Sequence, residues 1–297
     1  MKILISGSSG LVGQALSRSL ATDGHTVIRL VRKASANQNE IEWRPESGAV
    51  DSSQLEALDA VVHLAGESIA SGRWTDQKKQ RIFDSRVKGT FALSKALALL
   101  NEPPKTFLCA SAIGYYGDRK DEILSESSAP GNDFLATVCV QWEKATGPAV
   151  EKGIRTICTR FGIILDKKGG ALARMLPPFR MGIGGRVGDG KQWMSWIGLD
   201  DVVSALRFVL NKPEISGPVN FVAPNPVTNE AFTRALGRTL GKPSLIPIPA
   251  FGVRLAFGEM ADALLLSSQR VDPVKLKEAE FEFRLTTIEE ALRRILV

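Results

Sequence analysis

Gly7-Ser8-Ser9-Gly10-Leu11-Val12-Gly13 places glycines at three-residue intervals, directly after the apolar run Lys2-Ile3-Leu4-Ile5-Ser6. A strand, a glycine turn and a helix in that order can take a dinucleotide pyrophosphate. One glycine permits the tight turn, another lets the backbone approach the phosphates, and the last lets helix and strand pack closely. The phosphates then sit on the positive end of the helix. A lone glycine triplet says little, but this GxxGxxG run sits between a strand and an amphipathic segment from Leu11 to Leu20. Gly7, Ser8, Ser9, Gly10, Leu11, Val12 and Gly13 are therefore the first candidate cofactor-binding residues.

The next strand addresses which dinucleotide. Thr26 to Val31 is apolar and is followed by Arg32-Lys33. Selection of NAD ordinarily uses an acidic residue about 20 positions beyond the glycines, bonded to the ribose hydroxyls. Here no acidic residue occurs between Asp23 and Glu40, and Arg32 lies nineteen positions beyond Gly13. A guanidinium there can form a forked pair with a 2′-phosphate, so NADP is favoured over NAD.

These residues need a sheet to position them, and the pattern supplies one. Ala60 to Leu64 is a short apolar strand ending in Ala65-Gly66, and Trp74 to Leu100 has helical spacing with Phe83, Val87, Phe91, Ser94 and Leu97 on one face. Pro103-Pro104 ends that helix. Thr106 to Ala110 is a strand, Asp133 to Lys152 is helical, and Ile154 to Arg160 is a strand again. Repeated βα units imply an α/β fold with a doubly wound parallel sheet and a ligand at the carboxyl ends of its strands. Beyond Leu165 the pattern changes, with glycines at 169, 170, 182, 184, 185, 188 and 190 around an apolar stretch. Asp200 to Leu210 reads as a helix that Asp200 and Asp201 cap, and Pro218 to Val222 as a strand returning to the sheet. Thr228 is the expected N-cap of a helix from Asn229 to Leu240. Residues 1–165, rejoined by 198–223, are expected to form the dinucleotide domain, and 166–197 with 224–297 a smaller, mainly helical substrate lobe.

Composition narrows the partners. The 297 residues are 44% hydrophobic and 24% charged, enough for a full core. The net charge of +6 comes from scattered residues, which suits an anionic cofactor and gives no nucleic-acid tract. No apolar run is long enough to span a bilayer and no signal peptide is apparent, so no membrane partner and a cytoplasmic location are expected. Cys109, Cys139 and Cys158 lie in apolar contexts, and His25 and His63 are the only histidines. Neither a disulfide frame nor a metal site is expected.

Together these residues resemble the extended short-chain dehydrogenase/reductase superfamily, which includes NAD(P)-dependent sugar epimerases. The carriers are the glycine turn, Val62-His63-Leu64-Ala65-Gly66, Ser111 after its strand, Arg160 and Ile197-Gly198-Leu199-Asp200-Asp201. The run Phe179 to Gly185, continuing to Gln192-Trp193-Met194-Ser195-Trp196-Ile197, is similar to the epimerase-like subfamily of atypical members. The resemblance covers essentially the whole chain and implies a Rossmann-type fold. It implies that Leu64, Ala65 and Gly66 line the adenosine–pyrophosphate side, that Arg160 belongs to the cofactor set, and that residues 169–197 shape a substrate cleft. Arg86 stands where extended members usually carry Asn and, facing away from the Phe83/Val87 stripe, is expected to reach cofactor phosphate.

One departure bears on activity. Reductases of the superfamily use a Tyr-xxx-Lys pair on the helix after the serine strand, where Lys lowers the Tyr pKa and holds the nicotinamide ribose. Counting back from Glu143, those positions fall at Phe134 or Leu135 and at Val138 or Cys139. The only tyrosines are Tyr115 and Tyr116, and Lys120 completes the pattern from a glycine-containing loop. Two readings follow. One is an NADP-dependent oxidoreductase or epimerase acting on a small molecule, in which Ser111 orients a carbonyl or hydroxyl and Tyr115 or Tyr116 supplies the proton. The other is a non-catalytic NADP-binding protein. Trp74, Trp193 and Trp196 near the expected cleft suit a small-molecule ligand in either, because indole faces stack on planar rings.

Overall fold

Ile3 and Ile5 enter one apolar core and Leu4 another; Val62 and Val61 divide in the same way, as do Leu108 and Phe107. A sheet covered on both faces needs apolar residues at consecutive positions, which is why its strands read as unbroken apolar runs. A computed structural model describes residues 1–33, 38–44, 49–50 and 52–297.

The chain begins with β1 (Lys2–Ser6), α1 (Leu11–Thr22), β2 (Thr26–Val31), β3 (Glu40–Arg44) and β4 (Ala49–Val50). Next come β5 (Ala60–His63), α2 (Asp76–Ala98), β6 (Thr106–Ala112), β7 (Ile123–Leu124), α3 (Phe134–Lys144), α4 (Gly147–Glu151) and β8 (Arg155–Phe161). The second half holds β9 (Ile163–Asp166), α5 (Gly170–Arg180), β10 (Trp193–Met194), β11 (Trp196–Gly198), α6 (Leu199–Leu210) and β12 (Gly217–Phe221). After β13 (Val227–Thr228) and α7 (Asn229–Leu240), the C-terminal region is mainly helical, with α8 (Ala250–Phe257) and a two-residue strand β14 (Arg270–Val271).

Strands β12, β8, β6, β5, β1, β2 and β3 run parallel in that spatial order, and β4 joins the edge antiparallel to β3. This is a Rossmann-type sheet. Its order reverses between β1 and β5, where the chain leaves in opposite directions and opens a crevice. Helices α1 and α6 cover one face through Leu16, Leu20, Val202, Leu206 and Val209. Helices α2 and α3 cover the other through Leu93, Leu97 and Trp142. A third core gathers Leu172, Leu176, Phe179, Trp196, Phe232 and Leu292 of the C-terminal region.

Three local expectations change. The buried residues of α2 include Ile82, Gly89, Thr90, Leu93, Ser94 and Leu97, whereas Phe91 is 49% exposed. The apolar stripe Phe83/Val87/Phe91 therefore faces outward, and Arg86, half-buried midway along α2, turns its guanidinium to Gly66. The single helix expected from Asp133 to Lys152 is two, because Gly147-Pro148 opens a new first turn after α3 ends. Asp201 does not cap α6, whose N-cap is Gly198 without a side-chain bond. Its buried carboxylate instead accepts from the backbone N–H of Arg284 (3.1 Å) and Leu285 (3.0 Å), fastening the C-terminal segment to α6. Thr228 does cap α7, accepting from Ala231 N at 3.2 Å.

A buried hydrogen-bond chain locks the reversal point. Ser6 Oγ accepts from the backbone N–H of Leu64 (3.2 Å) and Ala65 (3.3 Å), so its own proton goes to His63 Nδ1 at 2.6 Å. His63 Nε2–H then donates to Thr90 Oγ1 at 3.0 Å, which also accepts from Trp142 Nε1 at 2.9 Å. Complete burial lowers the His63 pKa from 6.5 to about 4, so the ring is neutral. In the unfolded chain His63 takes up its proton near pH 6.5, and in the folded chain only near 4. Stability from this group is therefore whole above pH 6.5 and declines as pH falls towards 4, by about 3 kcal/mol at about 1.4 kcal/mol per pH unit. Urea unfolding of wild type and His63→Gln across pH 4–7.5 is expected to show the gap between the two narrowing with acidity over that window. A pH-independent gap contradicts this assignment.

Candidate functional site

The glycine turn lies at the carboxyl end of β1, at the edge of the crevice. Gly7 has φ +67°, and a Cβ there would sit 2.7 Å from the Leu64 carbonyl carbon. The two backbones thus touch across the reversal point. A Cβ on Gly13 would lie 2.3 Å from Gly7 O and 2.8 Å from Ser8 Cα, so α1 is pressed onto the turn itself. Gly10 N donates to Gly7 O at 3.0 Å and closes the turn. Gly10 is also the N-cap of α1 and offers no side-chain bond, which leaves the first N–H groups of that helix free for an anion. Leu11 packs beneath Gly169 and Gly170 at the start of α5, joining the turn to the C-terminal region. Ser8 is buried and Ser9 exposed, while Val12 packs against the core beneath α1.

Arg32 is exposed directly beyond β2, and Lys33 beside it is exposed as well. On the other side of the reversal, Leu64, Ala65 and Gly66 leave β5, and Arg86 of α2 lies flat against Gly66. A Cβ at Gly66 would come within 3.3 Å of the Arg86 guanidinium carbon.

Ser111, Tyr115, Tyr116 and Arg160 come together further along the sheet edge, but as members of a closed network. Arg160 forms a forked pair with Glu143, Nε to Oε1 and Nη2 to Oε2, both at 2.8 Å. Its Nη1 donates to Tyr116 Oη at 3.0 Å and to the Glu126 carbonyl at 3.2 Å. Ser111 Oγ donates to Glu143 Oε1 at 2.7 Å, and Tyr116 Oη donates to Asn220 Oδ1 at 2.7 Å. Burial works against the Arg160 charge, but the Glu143 bonds outweigh it and hold its pKa above the usual value. Arg160, expected to contact cofactor, is thus an ion-paired core residue with Nε and both Nη atoms occupied. Tyr116, expected as a proton donor, is wholly buried, and burial pushes its phenol up to about 12. Tyr115 differs. It is half-buried, its hydroxyl has no partner among the described residues, and the Arg160 guanidinium lies 3.4 Å from its ring centre.

Lys120 does not join this group. It has φ +53°, its side chain is 82% exposed, and it pairs with Asp118 at 2.5 Å. Of the positions counted back from Glu143 for the tyrosine and lysine of the resembling reductases, Leu135 and Cys139 lie toward the strand end that carries Ser111. Both face Gly114, where a Cβ would lie 3.4 Å from Leu135 Cβ and 3.8 Å from Cys139 Sγ. Burial pushes the Cys139 thiol up to about 12, so it holds its proton. Of the tryptophans, Trp196 is core, with Nε1 bonded to Asn225 O at 3.1 Å. Trp74 and Trp193 are half-buried and anchored by Ile69 O (2.7 Å) and Asp121 (2.8 Å). All three cysteines are free and buried, and among the described residues no cluster of metal-ligating side chains occurs.

Glu126 and Asn220 escape sequence reading, since neither sits in a motif. Asn220 reads as an isolated polar residue within the strand Gly217–Phe221, and that interruption is the one available signal. Glu143 is visible only as the reference from which the missing pair is counted.

Residues 3–222 match the NAD dependent epimerase/dehydratase family, and residues 248–295 match a domain of unknown function. The chain belongs to the NAD dependent epimerase/dehydratase family. It is 48% identical over 290 residues to an epimerase family protein of Mycobacterium tuberculosis, covering 98% of this chain and 96% of the relative. It is 36% identical over 301 residues to the Bacillus subtilis epimerase family protein YfhF, covering 100% and 98%. A crystal structure of human epimerase family protein SDR39U1 with NADPH superposes with a TM-score of 0.92 at 32% identity, over 99% of both chains. Among the described residues, no helix is long and apolar enough to cross a membrane.

The network makes a stability prediction. Arg160 is 3% and Glu143 15% exposed, so removing the carboxylate strands a buried cation. Glu143→Gln is expected to lower the unfolding free energy by about 3–5 kcal/mol in urea titration. A loss below about 1 kcal/mol means the pair is solvated.

Proposed function

We propose that this chain binds NADP at the β1–β5 crevice and acts on a small molecule as an epimerase-like oxidoreductase. The supporting observation is the cradle at the crevice, where Gly7 and Gly13 leave no room for a Cβ and α1 presents uncapped N–H groups. The close packing brings the turn's backbone to the crevice, and the uncapped N–H groups there fit a pyrophosphate. Gly7, Ser8, Ser9, Gly10, Leu11, Val12 and Gly13 form the phosphate turn in this reading. Leu64, Ala65 and Gly66 form the opposite wall, and Arg86 reaches the crevice beside Gly66. Arg32 takes the 2′-phosphate, because an exposed guanidinium with no acidic neighbour in sequence suits a phosphate and not a ribose diol. The human relative crystallised with NADPH supports the same choice.

NADP bound in the crevice supplies hydride chemistry. The chain's own part is to orient the reacting carbon and move the proton. Tyr115 is the residue proposed for that proton, since its hydroxyl is uncommitted while that of Tyr116 bonds Asn220 and Arg160. The Arg160 guanidinium lies 3.4 Å from the centre of the Tyr115 ring and holds that ring in place. Ser111 is given a supporting role, holding Glu143 and through it Arg160, and not a contact with substrate.

A second reading rests on one observation: Leu135 and Cys139 face Gly114 with no group able to exchange a proton or hold a sugar hydroxyl. On that reading the chain binds NADP without turning it over.

Titration calorimetry with NADPH and NADH tests the cofactor. Gly13→Val is expected to abolish binding of both. Arg32→Glu is expected to weaken NADPH by at least about 1.5–3 kcal/mol more than NADH, the worth of a hydrogen bond to a charged group. Equal losses remove Arg32 from the role.

Turnover on a panel of carbonyl compounds and nucleotide sugars, read by NADPH absorbance and by product stereochemistry, tests the reaction. Tyr115→Phe is expected to cost about 10²–10⁴-fold, while Lys120→Ala leaves the rate unchanged. If no compound is converted, the binding reading is the better one.

A further inference from the structure

Arg86 is a half-buried cation that makes no ion pair among the described residues, although the Glu67 carboxylate acts on it electrostatically. Its Nη1 donates to the carbonyls of Glu67 (3.0 Å) and Ile82 (3.2 Å), and among the described residues Nε and Nη2 have no acceptor. The Glu67 carboxylate is taken by Lys78 at 2.6 Å. One face of the guanidinium lies over the Trp142 ring at 4.9 Å, and Gly66 packs within contact of it. Burial pulls its pKa below the usual value, so an anion brought to this place is stabilised by more than an exposed arginine would offer. Trp142 is itself held by the Ser6–His63–Thr90 chain, so the guanidinium rests on the residues that fix the reversal point.

Sheet order tells which part of a bound dinucleotide meets this charge. The two halves of the ligand lie on opposite sides of the reversal. Arg32 follows β2, on one side; α2 follows β5 and α3 follows β6, on the other. The second side thus borders the nicotinamide half, which sets Gly66 and Arg86 at the far phosphate of the bridge and not on the adenosine side that the resemblance implies. On α3 the residues facing Gly114 there are Leu135 and a protonated Cys139, which bring no charge. Arg86 lies near enough to Cys139 to act on its thiol electrostatically.

We propose that Arg86 carries the fixed positive charge of the nicotinamide half, from α2 instead of α3, and pairs with the nicotinamide-side phosphate. The inference rests on the cofactor reading above. It also makes Gly66 and Arg86 a matched pair, because a Cβ at 66 would press on the guanidinium carbon at 3.3 Å.

Two ligands separate this half from the other. NADPH carries both phosphates of its pyrophosphate bridge, whereas 2′,5′-ADP lacks the nicotinamide-side one. Calorimetry on Arg86→Met is expected to show NADPH affinity at least tenfold weaker and 2′,5′-ADP affinity within twofold of wild type. Adding Cys139→Lys, which returns a cation to the same corner from α3, is expected to recover at least threefold of the NADPH loss. Arg86→Lys, which keeps a charge without the planar fork, is expected to fall between wild type and Arg86→Met. Thermal melts of all variants establish that they fold, and Arg86→Lys carries the test if Arg86→Met does not. Equal losses for the two ligands, unchanged NADPH binding, or no recovery on adding Cys139→Lys overturns the proposal. A wild-type protein that binds neither ligand instead brings down the cofactor reading on which it stands.

Discussion

Close contact between two backbones, Gly7 against Leu64, is the constraint on which the rest of this structure turns. Parallel strands β1 and β5 are neighbours whose following segments must part in opposite directions. At the parting point the chains come so near that a single methyl group would not fit. The polar groups left over are satisfied by one serine hydroxyl, which takes two N–H groups and passes its own proton to a neutral histidine. From there the bonds run outward through Thr90 to Trp142. A requirement for closeness at one atom pair thus reaches two helices away.

The parts of the fold that follow from periodicity were legible in the sequence. Strands buried on both faces announce themselves as apolar runs, and the glycine turn could be placed to the residue. The outward face of α2 was not, because Phe83, Val87 and Phe91 keep an i, i+4 spacing as regular as any core stripe. Only the neighbouring row, Ile82, Gly89, Leu93 and Leu97, finds the sheet. Periodicity gives the angle between residues on a helix and is silent about which angle points inward when both faces carry apolar groups. The same limit applied to Asp201, whose place in a first turn resembles a cap. Its true partners lie more than eighty residues away.

The polar site was harder to read for a different reason. Ser111, Tyr116 and Arg160 are the right residue types in the right neighbourhood, and their proximity to one another could be foreseen. Their direction could not. A hydroxyl that faces a ligand and one that faces Glu143 have the same sequence signature, and Glu143 itself sits in an otherwise apolar helix face beside the buried Trp142. What distinguishes them is the count of donors and acceptors in a space closed to water. There the charge of Arg160 needs Glu143, and Glu143 in turn attracts the serine.

The carboxylate of Asp201 also has a consequence for how the chain is made. Helix α6 and strand β12 complete the sheet at one edge, yet Asp201 remains without its donors until Arg284 and Leu285 have been synthesised. During that interval a carboxylate destined for the interior must stay hydrated, which holds the start of α6 away from its final packing. The packing of α6 on the sheet is therefore completed only with the segment that carries Arg284 and Leu285. Long-range closure of this kind slows folding but raises cooperativity. A chain stopped short of residue 284 would carry its defect in the sheet, far from the break.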